Sequence, residues 1–213
     1  MIPSKSSPPP LALLALLLSG AYHTTARDIF VSPAGTGTGT LDAPYGSIQS
    51  AVGAAVAGDT IFLRGGTYAP TANIQIAKSG TRTQPITARA YPGEKVIVDG
   101  ENMPGLTNGP YGIYARDASH NTYANISTHD NYETGFQLEG ASSNNTVANL
   151  DSYRNRDPRK NGESADGFAC KSGSGEGNVL RNARLWDNVD DGLDLFMFGS
   201  AVVLEEVYAW GNG

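Results

Sequence analysis

The sequence predicts an all-β chain wound as a parallel β-helix, with a short capping helix near its N-terminus. A glycine-led strand recurs four times, as Gly112-Ile113-Tyr114-Ala115, Gly135-Phe136-Gln137-Leu138, Gly167-Phe168-Ala169-Cys170 and Gly192-Leu193-Asp194-Leu195, at spacings of 23, 32 and 25 residues. A second strand recurs beside it at 122–127, 146–151, 179–184 and 202–207. Each second strand runs into an asparagine: Asn131, Asn155, Asn188 and Asn212, two residues after His129, Tyr153, Trp186 and Trp210. A strand-only period of 20–30 residues is the signature of a β-helical solenoid. The 32-residue spacing is one coil with an insertion at 154–165. A leucine-rich repeat lacks its Leu/Asn consensus here, and an antiparallel sandwich would not explain a register shared by Gly, apolar and Asn positions. The asparagines are expected to stack as a turn ladder, because Asn tolerates the left-handed backbone and bonds to it locally.

Residues 1–26 read as a removable export signal. Lys5 begins it, Leu11 to Leu18 forms an apolar core of eight residues, and Thr24-Thr25-Ala26 supplies small residues for cleavage. Eight apolar residues are too few to span a bilayer, which takes about 20. A strand at 28–31 follows, then a loop rich in Gly, Thr and Pro at 34–46. Ser47 fits an N-cap, and Ile48, Ala51, Val52 and Ala55 recur at helical spacing, so 48–56 is the predicted cap helix. Gly58-Asp59 turns the chain into strands at 60–64, 72–77, 86–91 and 95–99. The expected organisation is a signal at 1–26, a cap with the first coils at 27–110, and regular coils at 111–213.

The 213 residues carry a formal charge of −6, with 26 glycines and a single cysteine. There is no basic domain and no interleaving of basic and aromatic residues, which argues against a nucleic-acid partner. No later run is apolar enough for a membrane span, and a soluble, exported monomer is expected. An acidic chain would also repel an acidic polysaccharide unless a cation lay between them. Cys170 lies two residues after Phe168, hence on the same strand face, and belongs in the core. Asn125-Ile126-Ser127 and Asn144-Asn145-Thr146 are glycosylation sequons.

Aligned on glycine, the coils place Thr134, Asp166 and Asp191 in one column, Asp190 over Ala165 and Asp194 over Ala169. Phe168, Cys170, Leu193 and Leu195 should then face inward, and Lys171 and Asp194 outward, on the surface where Asp166, Asp190 and Asp191 emerge from the turn. Neighbouring coils lie about 4.8 Å apart, so Asp166, Asp190, Asp191 and Asp194 would repel one another unless a cation sat among them. A carboxylate-rich set without His or Cys suits Ca²⁺ rather than Zn²⁺. Asp and Gly also populate ordinary turns. Two Asp-Gly copies in coil register, with Asp194 on the strand, favour the metal.

These residues carry a resemblance. Residues 161–171 (NGESADGFACK) and 186–194 (WDNVDDGLD) resemble the calcium aspartate coils of the family 9 polysaccharide lyases, and Tyr45–Ala51 and Gly58–Tyr68 resemble the family more weakly. The resemblance implies a secreted, Ca²⁺-dependent pectate lyase with a right-handed parallel β-helix, and it matches Asp166, Asp190, Asp191 and Asp194 to the calcium ligands. It implies β-elimination on polygalacturonate, an acidic polysaccharide of pectin. The family's base resembles a lysine on a coil after these aspartates, and no residue up to Gly213 matches it. The chain therefore reads as the N-terminal part of such a lyase, with Lys171 a weak candidate for the base. Arg154, Arg156, Arg159, Lys160 and Lys171 are the candidate contacts to further uronates. A non-catalytic β-helical carbohydrate-binding protein or adhesin, and another uronate lyase or epimerase, remain alternatives.

Overall fold

The computed structural model describes residues 25–101, 103 and 111–213. The apolar core and most of the predicted export signal lie outside the described residues. Fourteen strands and one helix follow in order: β1 (Asp28–Val31), α1 (Ile48–Ala54), β2 (Thr60–Leu63), β3 (Gly66–Tyr68), β4 (Ile74–Ile76), β5 (Ile86–Ala90), β6 (Val96–Asp99), β7 (Ile113–Arg116), β8 (Asn121–His129), β9 (Phe136–Gly140), β10 (Thr146–Tyr153), β11 (Phe168–Gly173), β12 (Asn178–Trp186), β13 (Leu193–Asp194) and β14 (Val202–Trp210). Among the described residues every strand pair is parallel. One sheet runs β4-β7-β9-β11-β13. The other runs β1-β2-β5-β8-β10-β12-β14, with β6 joining β3 to β8. Strands from either side of residue 110 pair directly, β4 with β7 and β5 and β6 with β8.

The glycine register holds. Ile74, Ile113, Phe136, Phe168 and Leu193 stand side by side in successive coils. A Cβ on Gly167 would come within 2.7 Å of the Gly192 carbonyl oxygen and 2.9 Å of the Asn188 amide. Only glycine lets the coils close at that corner. The facing wall of the interior is the column Ile29, Ile61, Ala88, Tyr123, Val147, Leu180 and Leu204. Cys170 is a free thiol buried in this interior, and burial pushes its pKa up to about 12. It behaves as a small core hydrophobe.

The long strands bend in the middle, and the sequence records the bend. Buried residues recur three apart, as in Tyr123/Ile126, Val147/Leu150 and Leu180/Ala183. In a straight strand such pairs would face opposite sides. Asn125, Asn149, Asn182 and Glu206 sit between them with φ of 59°, 55°, 49° and 54°, and this left-handed residue turns both partners inward. The asparagine side chains bond along the column, Asn149 Nδ2 to Asn125 Oδ1 and Asn182 Nδ2 to Asn149 Oδ1, each at 2.6 Å. Glu206 breaks the series. A left-handed non-Gly residue costs about 1–2 kcal/mol, and Asn bears it best. Glu206→Asn is therefore expected to raise stability by about 1 kcal/mol, measured as a shift in denaturant midpoint at constant slope.

The second asparagine series departs from expectation. Asn131, Asn155, Asn188 and Asn212 do stack, but the left-handed residue is the one before each: Asp130, Arg154, Asp187 and Gly211. The asparagines act through their side chains. Asn131 Nδ2 donates to Asn155 Oδ1 at 2.7 Å, Asn155 Nδ2 to Asn188 Oδ1 at 2.8 Å and Asn188 Nδ2 to Asn212 Oδ1 at 2.8 Å. Backbone N–H groups of Asn131, Asn155 and Asn188 donate to the same oxygens. A buried amide needs partners for its donors and its acceptor, and stacking supplies them for the oxygens of Asn155, Asn188 and Asn212, while Asn131 Oδ1 at the ladder's start has none. Beside this ladder the rings of His129, Tyr153, Trp186 and Trp210 stack with centroids 4.2–5.3 Å apart. Another buried ladder, Asn121–Asn145–Asn178, closes the opposite corner.

The helix is as expected, two residues shorter. Ser47 Oγ accepts the Ser50 N–H, and Ile48, Ala51 and Val52 are buried against the first coils. One strand was missed, β3 at Gly66–Tyr68, where two glycines mask its character. Leu195 was expected inward. It is 39% exposed, because β13 ends at Asp194 and the chain leaves the sheet there. Phe196 and Met197 are exposed beside it, as are Val203 and Trp210 on β14.

Candidate metal centre

The insertion at 154–165 leaves the end of β10 and returns to start β11, and Asp166 stands at that return. Its main chain is fixed by coil pairing: Gly135 N–H donates to the Asp166 carbonyl at 2.9 Å, and Gly167 N–H to the Asp191 carbonyl at 2.9 Å. Asp190 lies over Ala165, whose carbonyl accepts the Asp190 N–H. Carboxylate oxygens of Asp166, Asp190 and Asp191 thereby lie within 4.8 Å of one another. Asp166 was expected at the surface and is instead fully buried, its Oδ2 held by Thr134 and Lys171. Asp190 is half-buried and Asp191 exposed, so the cluster opens outward on one side.

Asp194 stands one step away, in register with Ala169. Its Oδ1 accepts the Phe196 N–H at 2.8 Å, and its Oδ2 pairs with Lys171 Nζ at 2.7 Å. The same ammonium donates to Asp166 Oδ2 at 2.8 Å, and Thr134 Oγ1 donates to that oxygen as well, at 2.8 Å. Asp166 Oδ2 thus has two partners. Asp166 Oδ1 is buried and has none. The aspartate columns and Thr134's place in them were readable from the repeat, but the Lys171 bridge depends on side-chain direction.

The electrostatics show a cluster short of positive charge. Burial pushes the Asp166 carboxyl above its ordinary range, against the pull of Lys171 and Thr134. Burial and then the charges of Asp166 and Asp191 push Asp190 up as well. Burial draws the Lys171 amine down, but its bonds to Asp166 and Asp194 outweigh this and hold it above the usual lysine range. A hard divalent cation fits these residues: the donors are all oxygen, three carboxylates converge, and one buried oxygen lacks a partner.

The cations of the inserted turn are already engaged. Arg154 donates to Asp130 and lies over the Tyr153 ring, because coil stacking sets these residues side by side. Arg156 pairs with Glu101 and Asp130 and covers Tyr132. Both therefore belong to a second cluster, Asp99, His129 and Asp130, and are not brought to the aspartates. Lys160 pairs with Glu133 and lies 4.0 Å from Asp157 Oδ2. The Arg159 N–H donates to Asp157 Oδ1. Glu133 precedes Thr134, so Lys160 flanks the metal centre where Arg154 does not. The outer face of the sheet continues the site toward earlier coils through Gln137 and Glu139, in register with Ala169 and Lys171. Period-two alternation with Phe136 and Leu138 was the signal that could have marked them.

The class defined so far is a parallel β-helix with an acidic, all-oxygen centre at one strand entry. The chain belongs to the Pel9A-like family, described as a right-handed β-helix region, whose model matches residues 29–109 and 106–213. It is 56% identical over 237 residues to pectate lyase PEL9 of Emericella nidulans, covering 88% of this chain and 58% of that protein. Pectate lyase L of Dickeya chrysanthemi is 34% identical over 222 residues, covering 89% of this chain and 52% of that protein. The crystal structure of pectate lyase Pel9A superposes with a TM-score of 0.67 at 33% identity, covering 89% of this chain and 55% of that one. A solved rhamnogalacturonan lyase gives 0.69 at 25% identity, covering 88% and 58%. The chain thus spans little more than half the length of these four relatives.

Proposed function

We propose that this chain is the calcium-binding N-terminal part of an exported, monomeric pectate lyase that cleaves polygalacturonate by β-elimination. The observation that carries this reading is the buried, unpartnered Oδ1 of Asp166, whose carboxylate clusters with those of Asp190 and Asp191. The relatives named pectate lyase support it at up to 56% identity. Export rests on the pattern of residues 1–26. Asp166, Asp190 and Asp191 would hold Ca²⁺, with Asp194 beside them. When bound, the ion would draw charge from the uronate carboxylate as the C5 proton is lost. Thr134 and Lys171 hold Asp166 in its orientation. Lys160, on the Glu133 flank, is the insertion's cation best placed for a neighbouring uronate.

Lys171 does not serve as the base in this reading. Its amine is clamped between two carboxylates, which keep it protonated. The base is the lysine that the family resemblance places on a coil after the calcium aspartates. Loss of a general base typically costs about 10²–10⁴ in rate. The 213-residue chain alone is therefore expected to show at most about one-hundredth of the turnover of the chain extended by following coils. The assay is the absorbance of unsaturated uronate on polygalacturonate, with and without chelator. Strong chelator-sensitive turnover by the 213 residues alone would return the base to Lys171. The rhamnogalacturonan lyase superposition gives a second reading, favoured if the extended chain cleaves that polymer and leaves polygalacturonate intact.

A further inference from the structure

We propose that Lys171 is a built-in counter-ion of the metal centre, which holds the aspartate pocket in shape when calcium is withheld. The inference rests on the calcium reading above and adds a role for a residue that does not touch the metal. Phe168 and Cys170 face the core on either side of Ala169, so β11 is anchored and the direction of Lys171 is set. Its side chain is only 13% exposed, yet its ammonium reaches Asp166 Oδ2 and Asp194 Oδ2 at 2.8 and 2.7 Å. Asp166 itself is fully buried. A buried carboxylate without a compensating charge is costly, and removing one partner of a buried pair leaves that cost uncovered. Lys171 covers it from one side of Asp166, with Thr134 on the same oxygen. The second oxygen is left buried and unpartnered, on a carboxylate that clusters with those of Asp190 and Asp191. Lysine holds Oδ2 and leaves Oδ1 for calcium, so that in this proposal the ion enters a pocket already formed.

The test is thermal unfolding of the 213-residue chain in chelator and in calcium, for the parent, Lys171→Met, Lys171→Arg and the double variant Asp166→Asn/Lys171→Met. In chelator Lys171→Met should lower Tm by roughly 10 °C, and Lys171→Arg by much less because the charge is kept. Calcium should raise the Tm of Lys171→Met more than that of the parent, since the ion then supplies the missing charge. The double variant should regain most of the loss in chelator, because the buried charge has gone with its partner. If Lys171→Met fails to fold in chelator, folding of the double variant supports the proposal and its failure overturns it. A Lys171→Met chain as stable as the parent in chelator overturns the proposal while leaving the calcium reading intact. If calcium moves no Tm at all, the calcium reading fails, and the comparison in chelator still decides whether Lys171 is the counter-ion.

Discussion

Phe168→Ala is expected to destabilise the chain by about 3–5 kcal/mol, lowering Tm by about 10 °C or more. Phe168 is fully buried between Phe136 and Leu193 in adjacent coils, and its ring lies 6.0 Å from that of Phe136, centroid to centroid. A parallel solenoid cannot collapse around such a loss, because each coil is held at its spacing by backbone bonds on both sides. The cavity would lie directly under the metal centre, since Phe168 follows Asp166 by two residues and pairs beside Leu193 between Asp191 and Asp194. The variant should therefore lose calcium affinity together with stability. Circular dichroism through thermal unfolding, with and without calcium, measures both effects. A loss below about 1 kcal/mol would show that the interior packs less tightly than a protein core normally does.

The repeat made much of this architecture readable. Gly112, Gly135, Gly167 and Gly192 recur because a Cβ would strike the next coil, so the same physical constraint writes the same letter each time. Once glycine fixes the register, Asp166 and Asp191 fall in one column, and the acidic centre follows. Periodicity shows that a position recurs, and not which neighbour takes the strained backbone. The left-handed residue before Asn155 is Arg154, a type that no turn rule would select. The bend at Asn125, Asn149 and Asn182 was hidden for a related reason, since apolar residues three apart fit no straight strand. Side-chain pairing was less legible still. Arg154 and Arg156 read as free cations near the aspartates, but coil stacking commits them to Asp130 and Glu101. The position of Lys171 was legible, and its bridge was not, because a strand fixes the face a long side chain leaves from and leaves its end free to choose a partner.

The second large effect concerns the carboxylates. Changing Asp166, Asp190, Asp191 and Asp194 together to Asn keeps the shape of each side chain and removes its charge. It also frees Lys171 from two ion pairs. A hard divalent cation binds carboxylate oxygens far better than neutral amides, since ligand charge count sets affinity across several decades. Calcium affinity is expected to fall by at least about 100-fold. The quadruple variant should nevertheless fold, because the glycine corner, the Asn131–Asn155–Asn188 ladder and the Phe136–Phe168 contact do not involve these side chains.

Titration calorimetry of the parent and the quadruple variant with calcium is the most direct measurement of the metal centre. The parent is predicted to bind one calcium ion per chain, and the variant to give no heat of binding over the same range. Equal calcium uptake by the two proteins would contradict the assignment and place the ion elsewhere on the β-helix.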